Sequence, residues 1–121
     1  MSAPHFTELT TNYWQDILPV GHPARTEAPW QYGYPARLPD SRILMLPIRP
    51  LNDPTIAVAS LLVNQASMDV VAELGALLTD IIRELNPEVI IGLPTLGLSL
   101  APIVAQSLGL SPSPLSFVCS P

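Results

Sequence analysis

The chain contains no lysine, a single cysteine and no charged residue after Glu88. Its five basic residues are all arginines, they stand against ten carboxylates, and the net charge is −5 over 121 residues. This balance argues against a broad electrostatic surface for nucleic acid or anionic lipid, so neither is expected as a partner. Cys119 has no second cysteine for an internal disulfide, and His5 and His22 form no spaced cluster with it. The sequence therefore predicts no metal site.

The absence of charge after Glu88 raises the question of a membrane span. The uncharged stretch is long enough to cross a bilayer. Pro94 and Pro102 interrupt it, however, and only Arg83 stands nearby as a basic flank, so membrane association is the least favoured interpretation. The N-terminus lacks the basic start and apolar core of a signal peptide, and a cytoplasmic location is expected.

Proline dominates the beginning of the chain. Six prolines fall within the first forty residues, so little regular structure is expected there beyond one short helix over residues 6–18. Trp30, Tyr32 and Tyr34 alternate, which is compatible with a short strand, but we interpret them as anchors that hold a loop to the core. The predicted organisation is a Pro- and aromatic-rich arm over residues 1–40, followed by an α/β domain over residues 41–121.

The middle of the chain has clear periodicity. Two apolar runs, residues 42–48 and 55–63, are joined by an Asn-Asp-Pro turn signal and predict a β-hairpin. Apolar residues then recur every three or four positions over residues 70–85, with charged residues on the other face, which predicts an amphipathic helix. Ser67 stands at its N-cap position, and an Asn-Pro pair ends it.

The last part of the chain predicts a second strand and helix pair. Residues 88–93 are almost continuously apolar, which is typical of a central parallel strand covered on both faces. A helix is expected over about residues 98–108, with Gly109 in positive φ after it, and another strand begins near Leu115. This order favours an α/β fold with an open, mostly parallel sheet and flanking helices, preceded by the arm and the hairpin.

The stretch GLPTLGLS, from Gly92 to Ser99, connects the predicted strand to the predicted helix. Open α/β sheets bind anions at such junctions, because free backbone amides and the helix dipole both favour negative charge. Gly92 and Gly97 allow close approach of a ligand, and Thr95 and Ser99 offer hydroxyl groups. Any strand-to-helix turn also needs glycines and polar caps without a ligand, so both interpretations stay open.

Two named phosphate motifs do not fit this loop. Gly92, Gly97 and Ser99 match the spacing of a Walker A loop, but Leu98 stands where that motif requires lysine. The dinucleotide fingerprint needs three glycines, and the loop has two at a different interval. A nucleoside triphosphatase and a Rossmann dehydrogenase are therefore not predicted.

Residues 86–110 contain an acidic residue, an apolar run, a glycine loop and a predicted helix that ends in Leu-Gly. This pattern resembles the first βα unit of the type I phosphoribosyltransferases, which include the adenine phosphoribosyltransferase-like proteins. The similarity extends from about residue 38 to residue 110. It implies a phosphoribosyltransferase-like fold whose loop wraps the pyrophosphate of phosphoribosyl pyrophosphate (PRPP), and a non-proline cis peptide within residues 95–97. On this sequence the pyrophosphate loop comprises Pro94, Thr95, Leu96, Gly97, Leu98 and Ser99.

The family's second defining element has no counterpart here. In the family, two adjacent acidic residues and a Thr/Gly-rich loop hold the ribose 5-phosphate and help to organise Mg²⁺. No two acidic residues are adjacent in this chain, so it resembles a family member that is truncated before this motif. Mg²⁺ is expected for intact family members only, and we assign no catalytic residue.

Two classes of function follow from these observations. The first is a phosphoribosyltransferase-like protein of nucleobase or nucleotide metabolism that binds PRPP or pyrophosphate weakly and is inactive as this chain. The alternative is a non-catalytic interaction module that pairs through exposed strands, a homo-oligomer included.

Overall fold

The computed structural model describes residues 13–22, 28–30, 33–53 and 55–110. Two compact units divide the chain, one within Met1–Leu62 and the other within Val63–Pro121. The three strands belong to the first unit, and both α-helices belong to the second. This is a small α/β chain.

The first unit contains an antiparallel sheet in the order β1-β2-β3. Its strands are β1 (Gly33–Arg37), β2 (Ile43–Pro50) and β3 (Ala57–Ala59). β2 pairs with β1 through residues 43–47 and with β3 through residues 48–50. Pro47 therefore lies where the two ladders meet, and its carbonyl oxygen accepts a hydrogen bond from the Ser60 amide at 3.4 Å. Proline has no N–H, so at this position it contributes only its carbonyl oxygen to hydrogen bonding.

The prediction of an open, mostly parallel sheet is wrong. The sheet is antiparallel in both of its ladders, and residues 88–93, predicted to be its central strand, are assigned to no strand. Val89 and Ile91 are 46% and 59% exposed, so the run is not covered on both faces. A continuous apolar run supplies side chains for burial, but a strand also needs a neighbouring strand to hydrogen-bond with its backbone. No described strand pairs with residues 88–93.

The predicted hairpin is confirmed as the antiparallel pair of β2 and β3. Its second strand is limited to Ala57–Ala59, shorter than the predicted residues 55–63, and Val63–Gln65 form a short 3₁₀ helix. The loop interpretation of the aromatic alternation is wrong for Tyr34, which lies in β1, while Tyr32 lies outside the described residues. The Trp30 and Tyr34 rings meet edge to face with their centroids 4.8 Å apart. Pro35 argued against a strand at this position, because proline has no N–H to donate to a neighbouring strand. It is accommodated because β1 is an edge strand.

Two tight turns in this unit place a carboxylate beside hydrogen-bond donors. The Thr55 hydroxyl and amide both donate to Asp53 Oδ1, at 2.7 and 2.9 Å, and these bonds lower the pKa of Asp53. The Arg42 amide donates to Asp40 Oδ1 at 3.1 Å, and its guanidinium pairs with Oδ2 at 2.6 Å. These contacts lower the pKa of Asp40, the backbone bond contributing most. Both turns are solvent-exposed.

Trp14 is the largest buried side chain of the first unit. It is 2% exposed, and its indole Nε1 donates to the Ser60 carbonyl oxygen at 3.1 Å. Ile43 and Leu44 of β2 are also buried. The helix predicted over residues 6–18 is not formed in its described part, residues 13–18, where Leu18 instead makes a bridge to Ile43. The rest of that predicted helix lies outside the described residues.

The second unit consists of the 3₁₀ helix Val63–Gln65 and the helices α1 (Met68–Arg83) and α2 (Gly97–Ser107). Both α-helices confirm the sequence predictions. The Ser67 side chain accepts a hydrogen bond from the Val70 amide at 3.2 Å, as an N-cap residue does. Gly109 follows α2 with φ of +70°, as predicted. No helix among the described residues is long and apolar enough to cross a membrane.

The two helices pack through small and branched residues. Thr79 is 2% exposed, and its hydroxyl donates to the Gly75 carbonyl oxygen one turn earlier, at 2.7 Å, so its burial leaves no polar group unsatisfied. Gly75 faces Ile103 of α2 so closely that an added Cβ would lie 2.5 Å from Ile103 Cγ2 and 3.2 Å from its Cβ. Glycine at this position is therefore required by packing.

We expect Gly75→Ala to destabilise the second unit even though alanine is the better helix former. Helix propensity favours alanine by about 1 kcal/mol, whereas overpacking costs about 1–3 kcal/mol. The measurement is urea unfolding of Gly75→Ala, Ile103→Ala and the double variant. The double variant should be more stable than the sum of the single effects, because the second change removes the methyl group that clashes. Strict additivity would contradict this packing account.

Candidate functional site

The predicted loop residues form one continuous turn and helix start. Residues 94–96 form a turn, and Gly97, Leu98 and Ser99 are the first three residues of α2. Residues 88–93, which lead into the turn, belong to no strand or helix. The loop therefore keeps its predicted position at a helix N-terminus, although the strand that was expected to precede it is not formed.

Gly92 and Gly97 lie close to each other at the base of this loop. A Cβ added to Gly92 would lie 2.7 Å from the Gly97 carbonyl oxygen and 2.7 Å from Ala101 Cβ. Gly97 is less restricted, since the nearest heavy atoms to an added Cβ would be Gly92 backbone atoms at 3.4 Å. Neither glycine has a positive φ, so close backbone approach, and not backbone conformation, explains Gly92.

The start of α2 has no side-chain cap. Leu96 occupies the N-cap position, and no side chain hydrogen-bonds to the first amides of the helix. The Gly97 amide donates to the Leu93 carbonyl oxygen at 3.0 Å. The Leu98 and Ser99 amides make longer bonds, of 3.3 and 3.4 Å, to carbonyl oxygens three residues earlier. The alternative explanation of this loop, that a polar residue caps the helix, is therefore not realised.

Two main-chain donors of the turn remain available. Within the described part of the chain, the amides of Thr95 and Leu96 donate no hydrogen bond. Both residues are exposed, with Leu96 at 38%. Unsatisfied amides at a helix N-terminus carry partial positive charge and attract anions. The turn can thus offer two amides to a ligand in solvent.

The side chains of the turn and of the first turn of α2 carry no charge, and only Thr95 and Ser99 are polar. Thr95 is exposed and Ser99 is half-buried, so one hydroxyl is on the turn and one on the first turn of α2. No charged residue occurs from position 89 onward. Any attraction for an anion by this segment therefore comes from backbone dipoles and hydroxyl groups alone, which favours weak binding.

The backbone of the turn contains a cis peptide bond between Pro94 and Thr95. The sequence resemblance placed such a bond within residues 95–97. The observed bond lies immediately before that position.

The loop does not provide ligands for a magnesium ion. Mg²⁺ prefers carboxylate oxygens, and there is none from position 89 onward. Across the residues that the structure describes, no group of three histidine, cysteine or acidic side chains is placed to hold a metal ion. The side chains of this loop therefore do not fit the ion that intact members of the resembled family would use.

Sequence reasoning missed the contact between Gly92 and Ala101. The available signal was the sequence of small residues, glycine, glycine and alanine, at positions 92, 97 and 101. It also missed an apolar strip formed by Val89, Ile91 and Leu93, which are 46%, 59% and 72% exposed. The intervening Ile90 is half-buried and Gly92 is buried, so the exposed and covered positions alternate.

Comparison of the chain with family models, with curated proteins and with solved structures found no match.

Proposed function

We propose that residues 94–99 bind pyrophosphate, either free or as part of PRPP, and that the chain is a phosphoribosyltransferase-like protein of nucleobase or nucleotide metabolism. The proposal assigns binding to this chain and no transfer reaction, because it has neither an adjacent acidic pair nor a carboxylate after Glu88. It depends on the loop and α2 and not on the sheet, which is antiparallel.

The observation that carries the proposal is the uncapped start of α2. Its N-cap residue provides no side-chain acceptor, and the Thr95 and Leu96 amides are unused in the described part of the chain. A diphosphate offers several anionic oxygens, and each hydrogen bond to a charged group contributes about 1.5–3 kcal/mol. Without a cationic side chain, we expect a dissociation constant of about 1 mM, equivalent to about 4 kcal/mol.

An amide NMR titration with sodium pyrophosphate tests this proposal directly. We expect the largest chemical-shift changes at Thr95 and Leu96, followed by the first residues of α2. PRPP should produce the same pattern. Inorganic phosphate should bind more weakly, because it presents one phosphoryl group instead of two. Changes confined to the arginines of the first unit, or no change at all, would overturn the assignment.

A pair of serine variants on the same helix tests the hydroxyl contribution. Ser99→Ala removes a hydroxyl from the first turn of α2 and should weaken pyrophosphate binding by about tenfold, equivalent to about 1.4 kcal/mol. Ser107→Ala removes one from the last turn, where it donates to the Ile103 carbonyl oxygen at 2.8 Å, and should leave binding unchanged. Equal affinities for both variants would remove Ser99 from the site.

A second candidate is self-association through the apolar strip of Val89, Ile91 and Leu93. These three exposed side chains occur at alternate positions of residues 89–93, and exposed apolar surface is characteristic of interaction sites. The occupant we propose is a second copy of this chain. Electrostatic repulsion between two copies of an acidic chain is weakest where they meet through a region without charge. The strip lies at the start of the uncharged part of the sequence.

Ile91→Arg tests this candidate, with Ile81→Arg on α1 as its control. The two isoleucines are 59% and 56% exposed, so both substitutions add the same charge at similarly exposed positions. Light scattering after size exclusion should give a dimer for the unmodified chain and Ile81→Arg, and a monomer for Ile91→Arg. A monomeric unmodified chain at high concentration would eliminate this candidate.

A further inference from the structure

No further inference is drawn: the strongest candidate outside the loop and the strip, the exposed apolar patch of Leu51, Ile56 and Val58 on the β2–β3 hairpin, is an unpartnered face, and nothing in the structure shows what covers it.

Discussion

Replacing Gly92 with alanine is expected to abolish detectable pyrophosphate binding by the loop. The added methyl group would lie 2.7 Å from the Gly97 carbonyl oxygen and 2.7 Å from Ala101 Cβ. The first of these atoms belongs to the backbone, so the loop itself has to move to relieve the clash. Overpacking of this kind costs about 1–3 kcal/mol. Displacement of the Thr95 and Leu96 amides by about 1 Å is enough to break hydrogen bonds of normal length.

Gly97→Ala is the matched control for this prediction. It also removes one glycine from the loop, but its methyl group would have the Gly92 backbone at 3.4 Å, an ordinary contact distance. Gly97 begins α2, where alanine is favoured over glycine. Gly97→Ala should therefore keep the pyrophosphate-induced shift changes, whereas Gly92→Ala loses them. Circular dichroism should show that both variants keep their helices. Binding lost or retained in both variants would contradict the role given to Gly92.

Trp14→Ala is expected to have the largest effect on stability, a loss of about 3–5 kcal/mol from the first unit. The indole is 2% exposed, and its removal leaves a cavity and deprives the Ser60 carbonyl oxygen of its donor. Amide hydrogen exchange measures the effect. Protection should be lost at Leu18 and Ile43, whose backbone groups bond to each other at 2.7 and 3.0 Å.

Two further substitutions separate the contributions of the ring and the backbone at this position. Trp14 has φ of +61°, a conformation that costs residues other than glycine about 1–3 kcal/mol. Trp14→Gly should therefore be less destabilising than Trp14→Ala, the reverse of the usual order. Trp14→Phe keeps an aromatic ring without the N–H donor and should be the mildest of the three. Native-like protection in Trp14→Ala would show that the indole does not hold this unit together.

The helices of this protein were predictable because their determinants are local. The apolar periodicity of α1, the Ser67 cap and the positive φ of Gly109 all depend on residues within a few positions of each other. The candidate loop was likewise located by its glycines and by the helix that follows it. What could not be predicted is that Leu96, and not a hydroxyl residue, occupies the N-cap position.

The strands were predicted less well because strand formation depends on a partner that is distant in sequence. Tyr34 lies in a strand because residues 43–47 pair with β1, and the prolines around it argued against that result. Residues 88–93 have a more strand-like composition than β1, yet they pair with no strand in the described part of the chain. Apolar composition indicates how much free energy a segment gains when its side chains are buried. The hydrogen bonds and cross-strand contacts of a sheet also require a second segment as partner.

The sequence by itself determined the two helices, the hairpin turn, the uncharged segment after Glu88 and the position of the candidate anion site. Only the tertiary structure decided that the sheet is antiparallel, that Gly92 is confined by Gly97 and Ala101, and that Val89, Ile91 and Leu93 are exposed. The physical reason is the range of the interactions. Helix periodicity and capping act over a few residues, whereas strand pairing and close packing depend on segments that only folding brings together.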